Sequence, residues 1–335
     1  MTTNEDQAVP PLAAVPIGAL IEVRDLTVRF PTPRGPIRPV LGVSFGVPGS
    51  RTLGIVGESG SGKSMTLRSV LDLVPPPGRI VEGEVLFEGR DFLQLAEAER
   101  RSIRGRGIGI IFQDPMASLN PVLTVGDQLS ELLSAKAGLG RKAAWGRAGE
   151  LLDRVGIRSA TARLRSYPHQ FSGGMAQRVM IAMAIGAGPR LLLADEPTTA
   201  LDVSVQDQVL ALLEDLRLET AMSMIVVSHD IGVIARACDD VVVMYAGMLL
   251  ERGAVSEVLR QPRHPYTRML LSTVPTLEPN VSRRRLETIA GQLPDLATLT
   301  HGCPFAPRCA FARPACDDLD VTLDAAPHAS ACPFV

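Results

Sequence analysis

The sequence predicts an α/β fold with a parallel-sheet core, on three observations. Arg51-Thr52-Leu53-Gly54-Ile55-Val56 is a short, mostly apolar run that leads into a glycine-rich loop. Beyond the loop, Leu67, Val70, Leu71 and Val74 fall at helical spacing. Leu191-Leu192-Leu193-Ala194 and Met224-Ile225-Val226-Val227 are two further apolar runs of strand length, as buried parallel strands require. Between them, Val209, Leu212, Leu213 and Leu216 mark an amphipathic helix, and strands alternating with helices build parallel sheets.

The other elements follow in order. Residues 1–19 are rich in Pro and Ala and are expected to be a disordered lead-in. They carry Glu5 and Asp6 and lack a basic start, so they do not read as a secretory signal. Residues 21–24 and 27–30 alternate as two short strands, and residues 31–39 form a Pro/Gly turn region. Residues 83–87 read as a strand and residues 107–112 as a buried one. Residues 124–187 carry helical patterns broken by Gly and Pro. From about Gln261 Pro and Arg become more frequent, and residues 261–335 are expected to form an appended extension behind a main domain of residues 20–260.

Bulk properties give no support to some functions. The formal net charge is −2, acids and bases are interspersed, and aromatics make up only 4% of the chain, so neither a basic face nor a base-stacking surface emerges. No apolar run has the length of a membrane span, and a cytoplasmic protein is expected.

Gly57-Glu58-Ser59-Gly60-Ser61-Gly62-Lys63-Ser64 fits the G-x-x-x-x-G-K-S/T phosphate loop in full. Its glycines let successive N–H groups turn inward, and the helix behind it offers unpaired amides and a positive dipole end to an anion. Lys63 is placed to reach the β- and γ-phosphates and Ser64 to ligate Mg2+. Asp195-Glu196 ends a buried strand, where α/β sheets bind ligands. Asp195 is expected to hold the magnesium and Glu196 to polarise a water; a solvated acidic strand end is the plainer alternative.

Taken with these, Phe171-Ser172-Gly173-Gly174-Met175 resembles the signature motif of ABC ATPases. Gln113 matches that family's Q-loop, Ala200-Leu201-Asp202 its D-loop and His229 its switch histidine. Phe30 stands where the family places an aromatic against adenine. The resemblance covers roughly residues 20–260. It implies a RecA-like parallel-sheet core with antiparallel β and helical subdomains. The implied cofactors are ATP and Mg2+, with Ser64, Gln113 and Asp195 around the metal and Glu196, His229 and Gln113 catalytic. It also implies a second ATPase subunit, because the Ser172, Gly173 and Gly174 amides of one subunit close over the nucleotide held by the other. The family's consensus signature has Leu and Gln where this chain has Phe171 and Met175.

Gln113-Asp114-Pro115-Met116-Ala117-Ser118-Leu119-Asn120-Pro121, Tyr167-Pro168-His169-Gln170 and His264-Pro265-Tyr266-Thr267-Arg268 resemble the ATP-binding subunits of dipeptide/oligopeptide importers. That branch usually has Glu where Gln170 stands. The implied partners are two membrane permeases and an extracytoplasmic solute-binding protein, with the chain on the cytoplasmic face of the membrane. Nickel or another small solute as cargo, and less readily a nucleic-acid-associated ATPase, stay open.

Four of the five cysteines, Cys303, Cys309, Cys316 and Cys332, fall in the last 33 residues. A reducing cytoplasm disfavours disulfides, and the close Cys pairs usual for zinc are missing. The tail resembles the C-terminal region of the peptide-importer branch, some members of which bind a [4Fe–4S] cluster. The cluster is the expectation, with zinc or free thiols as alternatives. Cys238, alone in an α/β segment, reads as a small buried hydrophobe.

Overall fold

The computed structural model describes residues 18–199, 201–273, 291–297, 299 and 301–334, with Val203 lacking a described side chain. Most of the expected lead-in, and Ala200 of the expected D-loop, lie outside the described residues.

Among the described residues the strands are β1 (Ile21–Phe30), β2 (Ile37–Val47), β3 (Thr52–Val56), β4 (Arg79–Phe87), β5 (Arg90–Asp91), β6 (Ile108–Ile111), β7 (Leu191–Asp195), β8 (Ser223–Ser228), β9 (Asp240–Tyr245), β10 (Met248–Ala254) and β11 (Ala329–Ser330). The helices are α1 (Lys63–Val70), α2 (Glu97–Arg106), α3 (Pro115–Ser118), α4 (Val125–Ala137), α5 (Arg141–Arg154), α6 (Ala160–Arg163), α7 (Gly173–Ile185), α8 (Val203–Thr220), α9 (Ile231–Ala237), α10 (Val255–Arg260) and α11 (Pro265–Ser272).

Two sheets result. The larger runs β11-β10-β9-β3-β8-β7-β6. Its β9, β3, β8, β7 and β6 are parallel, while β10 and β11 are antiparallel additions at one edge. β3, β7, β8 and β9 are buried along their whole length, as strands covered on both faces must be. The smaller sheet, β2-β1-β4-β5, is antiparallel throughout. Helices α4 to α7 follow β6 and pack with the first of two apolar cores.

Two local expectations change. The two short strands at residues 21–30 are one strand, β1, with irregular register around Asp25, whose φ is +46°. Such a bulge breaks the alternation in two while keeping the ladder. The Pro/Gly turn is shorter than expected, because β2 starts at Ile37 and includes Pro39. β2 is an edge strand, and an edge tolerates a residue without an N–H.

The C-terminal extension shares the main core. Tyr266 and Phe305 are fully buried in the same apolar cluster as Val56 and Val243. β11 pairs with β10 through Glu251–Ser330 and Arg252–Ala329. The Glu251 carboxylate has no exposed surface. It accepts from the Arg263 and His264 amides at 2.8 Å each, and its Oε1 lies 2.7 Å from His328 Nε2. A buried carboxylate needs such partners, and meeting that need ties residues 263–264 and 328 to β10.

Candidate functional site

β3 delivers the chain into the phosphate loop, and α1 begins at Lys63 directly behind Gly62. Gly60 and Gly62 have φ of +83° and +106°, which L side chains rarely adopt. Gly57 and Gly62 are also glycine for lack of space. A Cβ would stand 2.0 Å from the Met244 carbonyl oxygen at the first and 2.1 Å from that of Pro39 at the second. Lys63 is 4% exposed and donates to the Gly57 and Glu58 carbonyls at 2.8 Å each, so its amine lies across the loop. Burial lowers its pKa against the pull of Glu196, Asp195 and Glu58. Ser59 and Gly60 are exposed, whereas Ser61 is buried and its carbonyl accepts from the Gly247 amide at 2.9 Å.

The acidic strand end lies against this loop. Ser64 Oγ donates to Asp195 Oδ1 at 2.7 Å across 131 residues of sequence. Asp195 is 2% exposed, and burial raises its pKa. Glu196 has φ of +48°, and its amide donates to the Val227 carbonyl. Its carboxylate gathers three partners. Gln113 Nε2 and Thr199 Oγ1 donate to Oε2 at 3.1 and 2.7 Å, and His229 Nδ1 lies 3.3 Å from Oε1. Burial alone would raise this carboxyl. The bonds from Thr199 and His229, with the charges of His229 and Lys63, outweigh burial and lower it. Glu196 is therefore ionised at neutral pH. The Ser64 hydroxyl oxygen beside the buried Asp195 carboxylate is a donor set that suits a hard divalent cation.

A family profile described as "ABC transporter" matches residues 40–199, and one described as "Oligopeptide/dipeptide transporter, C-terminal region" matches residues 250–316. The oligopeptide transport ATP-binding protein OppD of Bacillus subtilis (strain 168) is 49% identical over 294 residues, 88% of this chain and 82% of that protein. The dipeptide transport ATP-binding protein DppD of the same organism is 46% identical over 299 residues, 89% of each. The chain belongs to the family of ABC transporter ATP-binding proteins. A solved ABC cassette, a dimer in a post-hydrolysis state bound to ADP and Pi, is 28% identical, with a TM-score of 0.63 over 70% of this chain and 98% of its own.

The other ABC motifs fall in two places. Phe30 ends β1, and one side of its ring lies over Gly78, whose Cβ position would stand 2.3 Å from the ring. The signature residues sit apart. Ser172 caps α7, accepting weakly from the Met175 amide at 3.4 Å. Ser172 and Gly173 are exposed, with nothing within 4 Å of a Cβ at Gly173. Phe171, where the family consensus has Leu, is buried in the core beneath the Arg163 guanidinium. Gln170, where the branch usually has Glu, still accepts from the Tyr167 amide at 2.8 Å, a bond an amide oxygen makes as well as a carboxylate.

The four-cysteine ligand set does not form. Among the described residues no group of three or more His, Cys, Asp or Glu is placed to hold a metal ion, and the cysteines are free thiols. The Cys309 and Cys316 sulfurs accept from the Phe311 and Arg313 amides of their own turns, both at 3.4 Å. Burial raises the pKa of Cys303 and Cys309, and the neighbouring Cys316 and Cys332 add to it. Cys238 is packed under β3, 3.1 Å from the Cβ position of Gly54, and burial pushes its thiol far up. Among the described residues no helix is long and apolar enough to cross a membrane.

Thr199 and Glu58 were not singled out by sequence. Thr199 follows the acidic pair by three residues, a spacing that a turn brings back onto Glu196. Glu58 occupies a position the loop motif leaves unspecified, and no sequence signal marks its partners.

Proposed function

We propose that this chain is the ATP-hydrolysing subunit of an importer of di- or oligopeptides. The supporting observation is the single constellation of Lys63, Ser64, Asp195, Glu196, Gln113 and His229 at one end of the parallel sheet. The reaction transfers the γ-phosphoryl group of ATP to water, giving ADP and phosphate. The loop amides from Gly57 to Ser64 bind the phosphates and Lys63 neutralises their charge. Ser64, Asp195 and Gln113 would hold Mg2+, which neutralises charge on the β- and γ-oxygens. The ionised Glu196 accepts a proton from the attacking water, and His229 and Gln113 orient around the γ-phosphate. The Phe30 ring offers a stacking surface for adenine.

The open N-terminus of α7 is the other half of a second site. Ser172, Gly173 and Gly174 would cap a nucleotide held by a partner ATPase, either a second copy or a paralogue. The assembly would include two permeases and an extracytoplasmic solute-binding protein, and the chain would sit on the cytoplasmic face of the membrane through the permeases. We divide the chain into an ATPase domain over residues 20–260 and a small cysteine-bearing extension over residues 261–335. For Cys303, Cys309, Cys316 and Cys332 the reading is a [4Fe–4S] cluster, supported by their clustering in the last 33 residues and requiring the thiols to gather more closely than they stand here. Anaerobic purification with iron and acid-labile sulfide assays tests it, and stoichiometric zinc or a metal-free protein overturns it.

The test of the main reading is reconstitution with the permeases and binding protein in proteoliposomes. Mg-ATP turnover that rises with added peptide is the expected outcome. An assembled particle that leaves ATP uncleaved, or isolated protomers that cleave it at full rate, would contradict the reading.

A further inference from the structure

The cysteine-bearing tail reaches the phosphate loop. Phe305, with no exposed surface, packs its ring 5.4 Å from Tyr245 and 5.3 Å from Tyr266, which are themselves 4.6 Å apart. This wedge of three rings places a short 3-10 turn, Ala306–Arg308, over the loop. Arg308 Nη1 donates to Glu58 Oε2 and to the Tyr245 hydroxyl, at 3.0 Å each, and its side chain is 6% exposed. From the other side the Glu58 amide donates to the Tyr266 hydroxyl at 2.8 Å. Glu58 is thus held by side chain and backbone, both from residues beyond 260.

We infer that Arg308 and Tyr266 are positioning residues for the phosphate loop: they latch Glu58, and with it fix the amides that grip the triphosphate and shield them from its partly buried negative charge. The electrostatics favour this. Glu58 Oε1 is buried with no hydrogen-bond partner, so Arg308 is the counter-charge for this carboxylate. Lys63 also attracts this carboxylate, but without Arg308 it loses its hydrogen-bonded counter-charge beside the site of a polyanion. The Arg308 guanidinium also lies 5.7 Å from the centre of the Tyr245 ring, a second contact that holds it beside the loop. Cys309 follows Arg308 directly, so displacement of the turn at that thiol moves the latch.

This inference rests on the proposed nucleotide site, so Mg-ATP affinity of the full-length wild-type chain is measured first. Failure to bind would refute that site, not the latch. If binding is seen, Arg308→Ala is expected to weaken Mg-ATP binding about tenfold. Adding Glu58→Gln to Arg308→Ala should restore affinity to within about threefold, because it removes the orphaned charge. A tail that merely helps folding predicts no such rescue. Tyr266→Phe keeps the ring and removes the acceptor for the Glu58 amide; it should weaken binding about threefold, with the melting temperature lowered by only a few degrees. Wild-type affinity in Arg308→Ala, or no rescue by Glu58→Gln, overturns the latch. If Arg308→Ala does not fold, wild-type affinity in Tyr266→Phe overturns it.

Discussion

The two helix N-termini proposed to serve nucleotide in this molecule stand in opposite states. At α1 the loop is closed in: Lys63 is buried, Ser64 is bonded to Asp195, and Glu58 is held by the tail. At α7 the end is open: Ser172 and Gly173 are exposed and nothing approaches Gly173. Both ends offer unpaired amides and the same dipole, worth about 0.3–1 kcal/mol to an anion at an exposed site. Only the first is surrounded by groups that can hold, neutralise and cleave a phosphate. One chain thus carries an enclosed loop and an uncovered helix end, which is the asymmetry the proposed pairing of two ATPase subunits needs.

The largest expected effect strikes the closed end. Glu196→Gln keeps the shape but cannot take the proton, so steady-state turnover should fall by at least about a thousandfold, some 4 kcal/mol, with Mg-ATP binding retained. Undiminished turnover in the assembled transporter would remove Glu196 from the chemistry.

Next comes the support under the closed end. His264 is 1% exposed, caps α11, and burial lowers its pKa to about 4. In the unfolded chain it titrates near 6.5. Its depressed folded value means the unfolded state binds the extra proton first as pH falls. The stability tied to His264 is therefore full above pH 6.5 and is lost as pH drops toward 4, by about 3 kcal/mol. Denaturant titrations across that window should show the slope, and His264→Gln should flatten it.

A substitution at the open end sharpens the contrast. Gly173→Asp meets no neighbour in the single chain, so melting temperature and Mg-ATP binding by the isolated subunit should not change. In the assembled pair its carboxylate would face the partner's γ-phosphate, and turnover should fall about a hundredfold. Equal loss in the isolated subunit would break the division between the two ends.

The smallest effect is at Thr199. Its hydroxyl bond lowers the Glu196 pKa, so Thr199→Val should raise that pKa and shift the acid limb of the rate–pH profile upward. Turnover at neutral pH should fall about tenfold, roughly 1.5 kcal/mol, the low end for one hydrogen bond to a charged group.

The parts that sequence alone determined are local or periodic. The phosphate loop, the apolar strands and the acids at the end of β7 are written in consecutive residues, because backbone turns and burial act over a few positions. The signature cap at Ser172 is likewise legible, since N-capping is a matter of three residues.

What only the tertiary structure decided are meetings across long sequence separations. Arg308 finds Glu58 over 250 residues, and the extension that sequence sets apart from residue 261 shares its core with β3. The four clustered cysteines, near in sequence, still do not form a ligand sphere. The reason is physical: composition and spacing fix which groups need partners, while the packing of rings such as Phe305 against Tyr245 and Tyr266 fixes which partners they reach.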